Sequence, residues 1–235
     1  MNIVKTYHHE LLKYKGKHKG ETCYIFGSGP SFKNFKKQEE GVFIGCNHII
    51  KNDKMKNNIG YYFFGHGYLE YKNNKSIYGN HYNEVNNLGN HIEKFCMVSR
   101  NNNLRVHEFS PKEVLKLKYI NALPCDINCE KINLDLESNS FLNHSIVFPA
   151  TQFALYSGFS KIYLVGCDCH SDYTKDNYFW NHSNGSKKPN YDFNLIEWWK
   201  KMYQFKNKYY PDCKIININP GGLKDLMDKD IIIHG

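Results

Sequence analysis

Thr22-Cys23-Tyr24-Ile25-Phe26-Gly27-Ser28-Gly29-Pro30-Ser31 is the stretch from which the fold can be read. Thr22 to Phe26 is a short, nearly continuous apolar run, the pattern of a strand buried on both faces. It stops at a glycine turn, and Pro30 stands where a helix would begin, a position that suits its fixed φ and missing N–H. A buried strand passing through a glycine turn into a helix opens a parallel α/β unit.

Outward from this stretch, Gly41–Cys46 and Tyr61–Phe64 read as two further short strands and Phe95–Val98 as a fourth. Lys161–Val165 reads as a parallel-type strand ending in Gly166-Cys167-Asp168, and Lys214–Ile218 as the last. Helices are expected at Val4–Tyr14, at Pro111–Tyr119 with Ser110 as N-cap, and at Pro149–Ser157, stopped by Gly158. The longest spans Tyr191–Tyr209, with Leu195, Trp198, Trp199, Met202 and Phe205 at helical spacing. Residues 70–93 read as an irregular excursion and 121–145 as a flap or insertion. The expectation is one α/β domain over 1–235. It is Rossmann-like, with a mostly parallel twisted sheet, helices on both faces and a lid at 170–190.

Composition bounds the class. The 235 residues are 41% hydrophobic and 23% charged, which excludes a disordered chain. No apolar run is long enough to span a bilayer, and no secretory leader is visible, so a cytoplasmic location is expected. Lys plus Arg number 31 against 23 acidic residues, a net +8. Such a surface attracts polyanions, but no zinc-finger, RRM or basic-helix pattern accompanies it, and no specific nucleic acid is expected. The Lys13–Lys19 cluster reads as a solvated face, with peripheral membrane association as the alternative. Eight cysteines lie mostly within apolar runs and read as free core thiols. Neither Cys125-x3-Cys129 nor Cys167-x-Cys169-His170 has the paired spacing of a structural zinc site, and no metal is expected.

Four segments could carry chemistry. Gly27-Ser28-Gly29-Pro30-Ser31 would let a ligand approach the backbone and present helix N–H groups to a phosphate or carboxylate; its alternative is a plain turn. The dinucleotide fingerprint fails at Phe32, and Asn47 stands where an NAD-type ribose acid would. An amide there still hydrogen-bonds a ribose, base or sugar. Asp168, after its strand, either caps backbone N–H groups or accepts a ligand hydroxyl. The long loop after it carries Tyr173, Tyr178 and His182, and His182 is the natural general base.

In order along the chain, four motifs resemble those of the bacterial lipooligosaccharide sialyltransferase family (glycosyltransferase family 42) and the broader DUF115, Maf/MptE-like family. They are Gly27-Ser28-Gly29-Pro30-Ser31-Phe32, Gly45-Cys46-Asn47-His48, Ala154 to Asp168, and Ile218-Asn219-Pro220-Gly221-Gly222-Leu223. The resemblance implies a Rossmann-like transferase with a flexible lid and no metal or other cofactor. A CMP-sugar would lie over the Gly-Pro-Ser loop. Gly27, Ser28, Gly29, Ser31 and Asn47 would then bind the donor, with Asp168, Gly221 and Gly222 on its nucleotide side. His182, in Asn181-His182-Ser183, would be the base, and Tyr173 and Tyr178 would stabilise the leaving phosphate. Ser28 replaces the family's Asn, Gly65-His66 stands for another, and Pro149-Ala150-Thr151 replaces a Ser-Gly; these departures leave the sugar open.

The expected function is therefore a glycosyltransferase. It would move a sugar, with a sialic-acid-like acidic sugar as one candidate, from a CMP- or other nucleotide-activated donor to a glycan or glycolipid hydroxyl. A homo-oligomer is compatible with the sequence. Two alternatives stand beside it. One is Mg²⁺-dependent diphosphate transfer of the pterin pyrophosphokinase type, with Asp168 and Asp172 as metal ligands. The other is a non-catalytic nucleotide- or nucleic-acid-binding module.

Overall fold

Eight strands pair into one sheet: β1 (Thr22–Phe26), β2 (Val42–Cys46), β3 (Tyr61–Gly65), β4 (Glu93–Ser99), β5 (Ile120–Asp126), β6 (Phe141–Leu142), β7 (Lys161–Val165) and β8 (Lys214–Asn217). Their spatial order is β6-β5-β4-β3-β2-β1-β7-β8, and every adjacent pair is parallel. The computed structural model describes residues 11–65, 84–85, 87–99, 120–126, 132, 134, 141–142, 145–169, 195–218, 223 and 226–227.

Strands β1, β3 and β7 are buried on both sides, as their sequences require. Cys23 and Ile25 of β1 face one core with Phe63, Phe95, Ile162 and Leu164. Tyr24 and Phe26 face the other with Tyr62, Phe64, Tyr163 and Val165. The first face is covered by a central helix (Val147–Tyr156), all of whose residues are buried, and by the amphipathic helix Leu195–Tyr209. Among the described residues, the second is covered by 3₁₀ helices at Pro30–Asn34 and Asn47–Lys51, a one-turn α-helix at Asp53–Lys56, and the side chains of Val85 and Leu88. The parallel α/β expectation thus matches the architecture. After the glycine turn, however, the chain forms a five-residue 3₁₀ helix in place of an α-helix.

Residues Leu11–Glu21 form a strap against the end of the central helix. Leu11 and Tyr14 are buried, and only a 3₁₀ turn, Leu12–Tyr14, remains of the expected helix among the described residues. Backbone N–H groups of Gly16, His18 and Gly20 donate to the carbonyls of Tyr156, Ser157 and Gly158. The strap thereby satisfies the carbonyls that end the central helix. His18 stacks on Phe159 with ring centroids 4.4 Å apart. Its Nε2 lies 2.6 Å from the Tyr61 hydroxyl and its Nδ1 3.1 Å from Glu21 Oε2. Lys13 and Lys17 sit 3.5 and 3.9 Å from the Glu93 carboxylate. Part of the Lys13–Lys19 cluster is thus neutralised within the fold.

The flap expected at 121–145 contains two strands, β5 and β6. Ile120-Asn121-Ala122-Leu123-Pro124-Cys125-Asp126 has neither alternation nor β-branched enrichment, so local pattern could not reveal it. Pairing to β4 over six residues makes it a strand. Pro124 is tolerated because β6 pairs only Cys125 and Asp126, leaving Pro124 in the outer stretch of the sheet. The expected helix Pro111–Tyr119 and the lid at 170–190 lie outside the described residues.

Candidate functional site

The chain lays down β1 to β6 in one direction across the sheet and then returns to place β7 on the other side of β1. In open parallel sheets this reversal leaves a crevice at the carboxyl ends of the strands, where ligands bind. Here the flanking loops are Gly27–Ser31 after β1 and Gly166–Cys169 after β7.

The two loops are joined to each other. Gly27 N donates to Val165 O and Gly29 N to Gly166 O, each at 2.8 Å. A Cβ at Gly27 would lie 2.5 Å from Gly166 O and 3.1 Å from Cys167 Sγ. One at Gly29 would overlap Asp168 Oδ2 and come within 2.7 Å of Gly166 O. Gly166 has φ +68°, the left-handed region that glycine enters without cost. The glycines therefore serve first to let two loops meet, whatever else approaches them.

Asp168 is buried, and its Oδ2 accepts the Ser31 N–H at 3.1 Å. Gly29, the N-cap of the 3₁₀ helix that follows, has no side chain to supply this bond, so Asp168 caps the helix from across the crevice. This is the capping alternative read from the sequence. It has a consequence for ligand binding, because the Ser31 N–H offered to a phosphate is already held by a carboxylate. An anion drawn to that N–H would meet like charge.

Asn47 closes β2 with φ +46°, a left-handed conformation rare outside glycine. Its Oδ1 accepts from Gly65 N at 3.3 Å and its backbone carbonyl from the Tyr62 hydroxyl at 2.6 Å. With the oxygen so engaged, the half-buried side chain has its Nδ2 as the group left to donate to a ligand acceptor. Asn217 ends β8. It is 5% exposed and donates Nδ2 to Cys167 O at 3.1 Å.

Thiols lie close below. Burial, then Cys169, Cys46 and Asp168, push the Cys167 thiol well up. Burial raises Cys46, and it raises Cys169 to about 12 despite a hydrogen bond with Trp199. These shifts favour the thiol over the thiolate form of all three. Among the described residues no group of three His, Cys, Asp or Glu side chains is placed to hold a metal.

The structure thus gathers Gly27, Ser28, Gly29, Ser31, Asn47 and Asp168 around the carboxyl ends of β1, β2 and β7. His182, Tyr173, Tyr178, Gly221 and Gly222 lie outside the described residues. Gly166 and Asn217 join the gathered residues without being among the site residues expected from the sequence. Gly166 carried a signal, since a glycine two residues before an acid at a strand end marks a tight turn. Asn217 carried none beyond that of an ordinary strand terminator.

No family model matches the chain, and no curated protein matches it. Among solved structures it is similar to the sialyltransferase CstII from Campylobacter jejuni in complex with a substrate analogue, cytidine-5′-monophosphate. The identity is 15%, the match covers 91% of this chain and 89% of that one, and the TM-score is 0.46. A likeness of this degree assigns neither ligand nor chemistry to this chain. Among the described residues no helix is long and apolar enough to cross a membrane.

Proposed function

We propose that the chain is a nucleotide-sugar-dependent glycosyltransferase. The observation that carries the reading is the coincidence of two features. Motifs that resemble the sialyltransferase loops fall at the carboxyl ends of β1, β2 and β7, and β1 and β7 flank the reversal in order of the described strands. The donor would lie across the joined Gly27–Ser31 and Gly166–Cys169 loops, with Asn47 Nδ2 as a donor to it. Because Asp168 occupies the Ser31 N–H, the leaving phosphate needs other partners, and the resemblance supplies Tyr173 and Tyr178 for that role. Gly221 and Gly222 would line the nucleotide side.

In the proposed step a glycan or glycolipid hydroxyl oxygen attacks the anomeric carbon. The bond to the phosphate oxygen breaks, and its electron pair leaves with the nucleotide. His182 takes the hydroxyl proton. The single displacement inverts the anomeric centre and uses no metal. A CMP-linked acidic sugar is the donor of choice.

The test is thermal stabilisation by CMP, CDP, UDP, GDP, AMP and ATP, with and without Mg²⁺. A ligand at 100 times its Kd adds about 2.7 kcal/mol. Stabilisation by CMP without metal is expected, and His182→Ala should keep that response while losing about a hundredfold or more of the turnover. A response to ATP with Mg²⁺ alone would replace this reading with diphosphate transfer. Silence throughout would end it.

A further inference from the structure

Cys169, the last residue of the loop after β7, stands in the left-handed region with φ +46°. Asp168 and Cys169 part company there. Asp168 accepts the Ser31 N–H of the loop after β1. Cys169 packs into the core of the first face, against the cluster that holds Cys167 and Trp199. An indole can only donate, so the Cys169 sulfur accepts the hydrogen bond from Trp199 Nε1–H. Successive residues at the exit from β7 are thus tied to two different elements.

Trp199 lies one turn inside the helix Leu195–Tyr209. It is buried, and its ring centroid is 4.7 Å from that of Phe148, in the first turn of the central helix. That turn sits at the carboxyl ends of the strands. The Ile146 carbonyl is 3.9 Å from Cys46 Sγ, and a Cβ at Gly65 would lie 3.5 Å from the Ile146 side chain. Segment 170–194 departs after Cys169 and returns at Leu195, and both residues pack on the same core cluster. The sulfur–indole bond therefore joins the two roots of that segment on the crevice side of the sheet.

We infer that Cys169 and Trp199 are positioning residues for the transfer: their bond fixes the roots of segment 170–194 beside the crevice, and with them the placement of His182, Tyr173 and Tyr178 against the donor. The inference rests on the glycosyltransferase reading above, which gives those three residues their roles. The rate depends on such a tie, because misplacing reacting groups by about 1 Å costs on the order of a hundredfold. Nucleotide affinity does not depend on it in the same way. Gly27, Gly29, Ser31 and Asn47 are held by hydrogen bonds that do not pass through Trp199.

The experiment measures release of CMP from CMP-sialic acid, with water as acceptor, and CMP binding by calorimetry. It compares the wild type, Cys169→Ala, Cys169→Ser, Trp199→Phe and the double variant Cys169→Ala/Trp199→Phe. Cys169→Ala removes the acceptor, and Trp199→Phe removes the donor while leaving a ring in the core. Each should lower kcat at least about tenfold, with the Kd for CMP within about threefold of the wild type. The double variant should be no slower than the slower single one, because the second change finds the bond already gone. Cys169→Ser, which restores an acceptor, should be at least about threefold faster than Cys169→Ala. If Trp199→Phe does not fold, the two Cys169 variants decide the matter. Unchanged kcat in Cys169→Ala, losses that multiply in the double variant, no recovery by serine, or CMP affinity that falls in step with kcat overturns the inference and leaves the glycosyltransferase reading standing. A wild type that releases no CMP overturns both.

Discussion

Gly29 shows how much one missing side chain can hold together. Its Cα faces Gly166 O and Asp168 Oδ2 with no room for a methyl group. In Gly29→Ala one loop must retreat, breaking the Gly29–Gly166 hydrogen bond, the Ser31–Asp168 one, or both. Overpacking of this kind costs about 1–3 kcal/mol, and denaturant unfolding should show a loss in that range. Nucleotide affinity should fall with it, because the crevice changes shape. Asp168→Asn is the milder probe. Its amide oxygen can still accept from Ser31, but the negative charge is gone. If the carboxylate repels phosphate from that N–H, nucleotide affinity should rise while stability changes by about 1 kcal/mol or less.

At the scale of elements, the strap and the segment before β2 are held by polar side chains at the end of the sheet away from the crevice. His18→Ala removes a ring stacked on Phe159 and the partner of the Tyr61 hydroxyl, and should cost about 2–3 kcal/mol in chemical unfolding with nucleotide affinity unchanged. Glu39 joins Lys161 at 2.7 Å and Thr22, clasping the segment before β2 to the starts of β7 and β1. The hydrogen bond from Lys161 holds its carboxyl below the ordinary range. A lowered native pKa means stability present above the unfolded value of about 4.3 and lost as pH falls through the native one. Glu39→Gln should therefore lose under about 1 kcal/mol at neutral pH, since the group is well exposed, and should match the wild type in acid. How far these elements could be read in advance follows from where their determinants lie. Thr22–Phe26 and Lys161–Val165 were legible because burial on both faces writes itself locally as an apolar run. β5 was not, because its strand state comes from β4. The glycine loop was legible as a turn, but its contact with Asp168 spans 137 residues and leaves no local trace. Asn217 ends β8, and its local sequence carries no more than the signal of a strand-terminating Asn.

Over the whole sheet, sequence order and spatial order of the described strands part beside β1. Strands β1 to β6 add successively outward, so each finds its partner soon after it is made. The other flank of β1 is different: Thr22 pairs with Lys161, and the strap needs the carbonyls of Tyr156 to Gly158. Contacts that close so long a stretch of chain slow folding, because the loop must be closed before the contact rewards it. On the ribosome the first-made strand therefore waits, with a bare edge and aromatic side chains, until more than half of the chain has followed it. A bare parallel edge is a template for the wrong partner. An interior strand of the finished sheet is thus the exposed edge of the nascent one, from the emergence of β1 until that of β7.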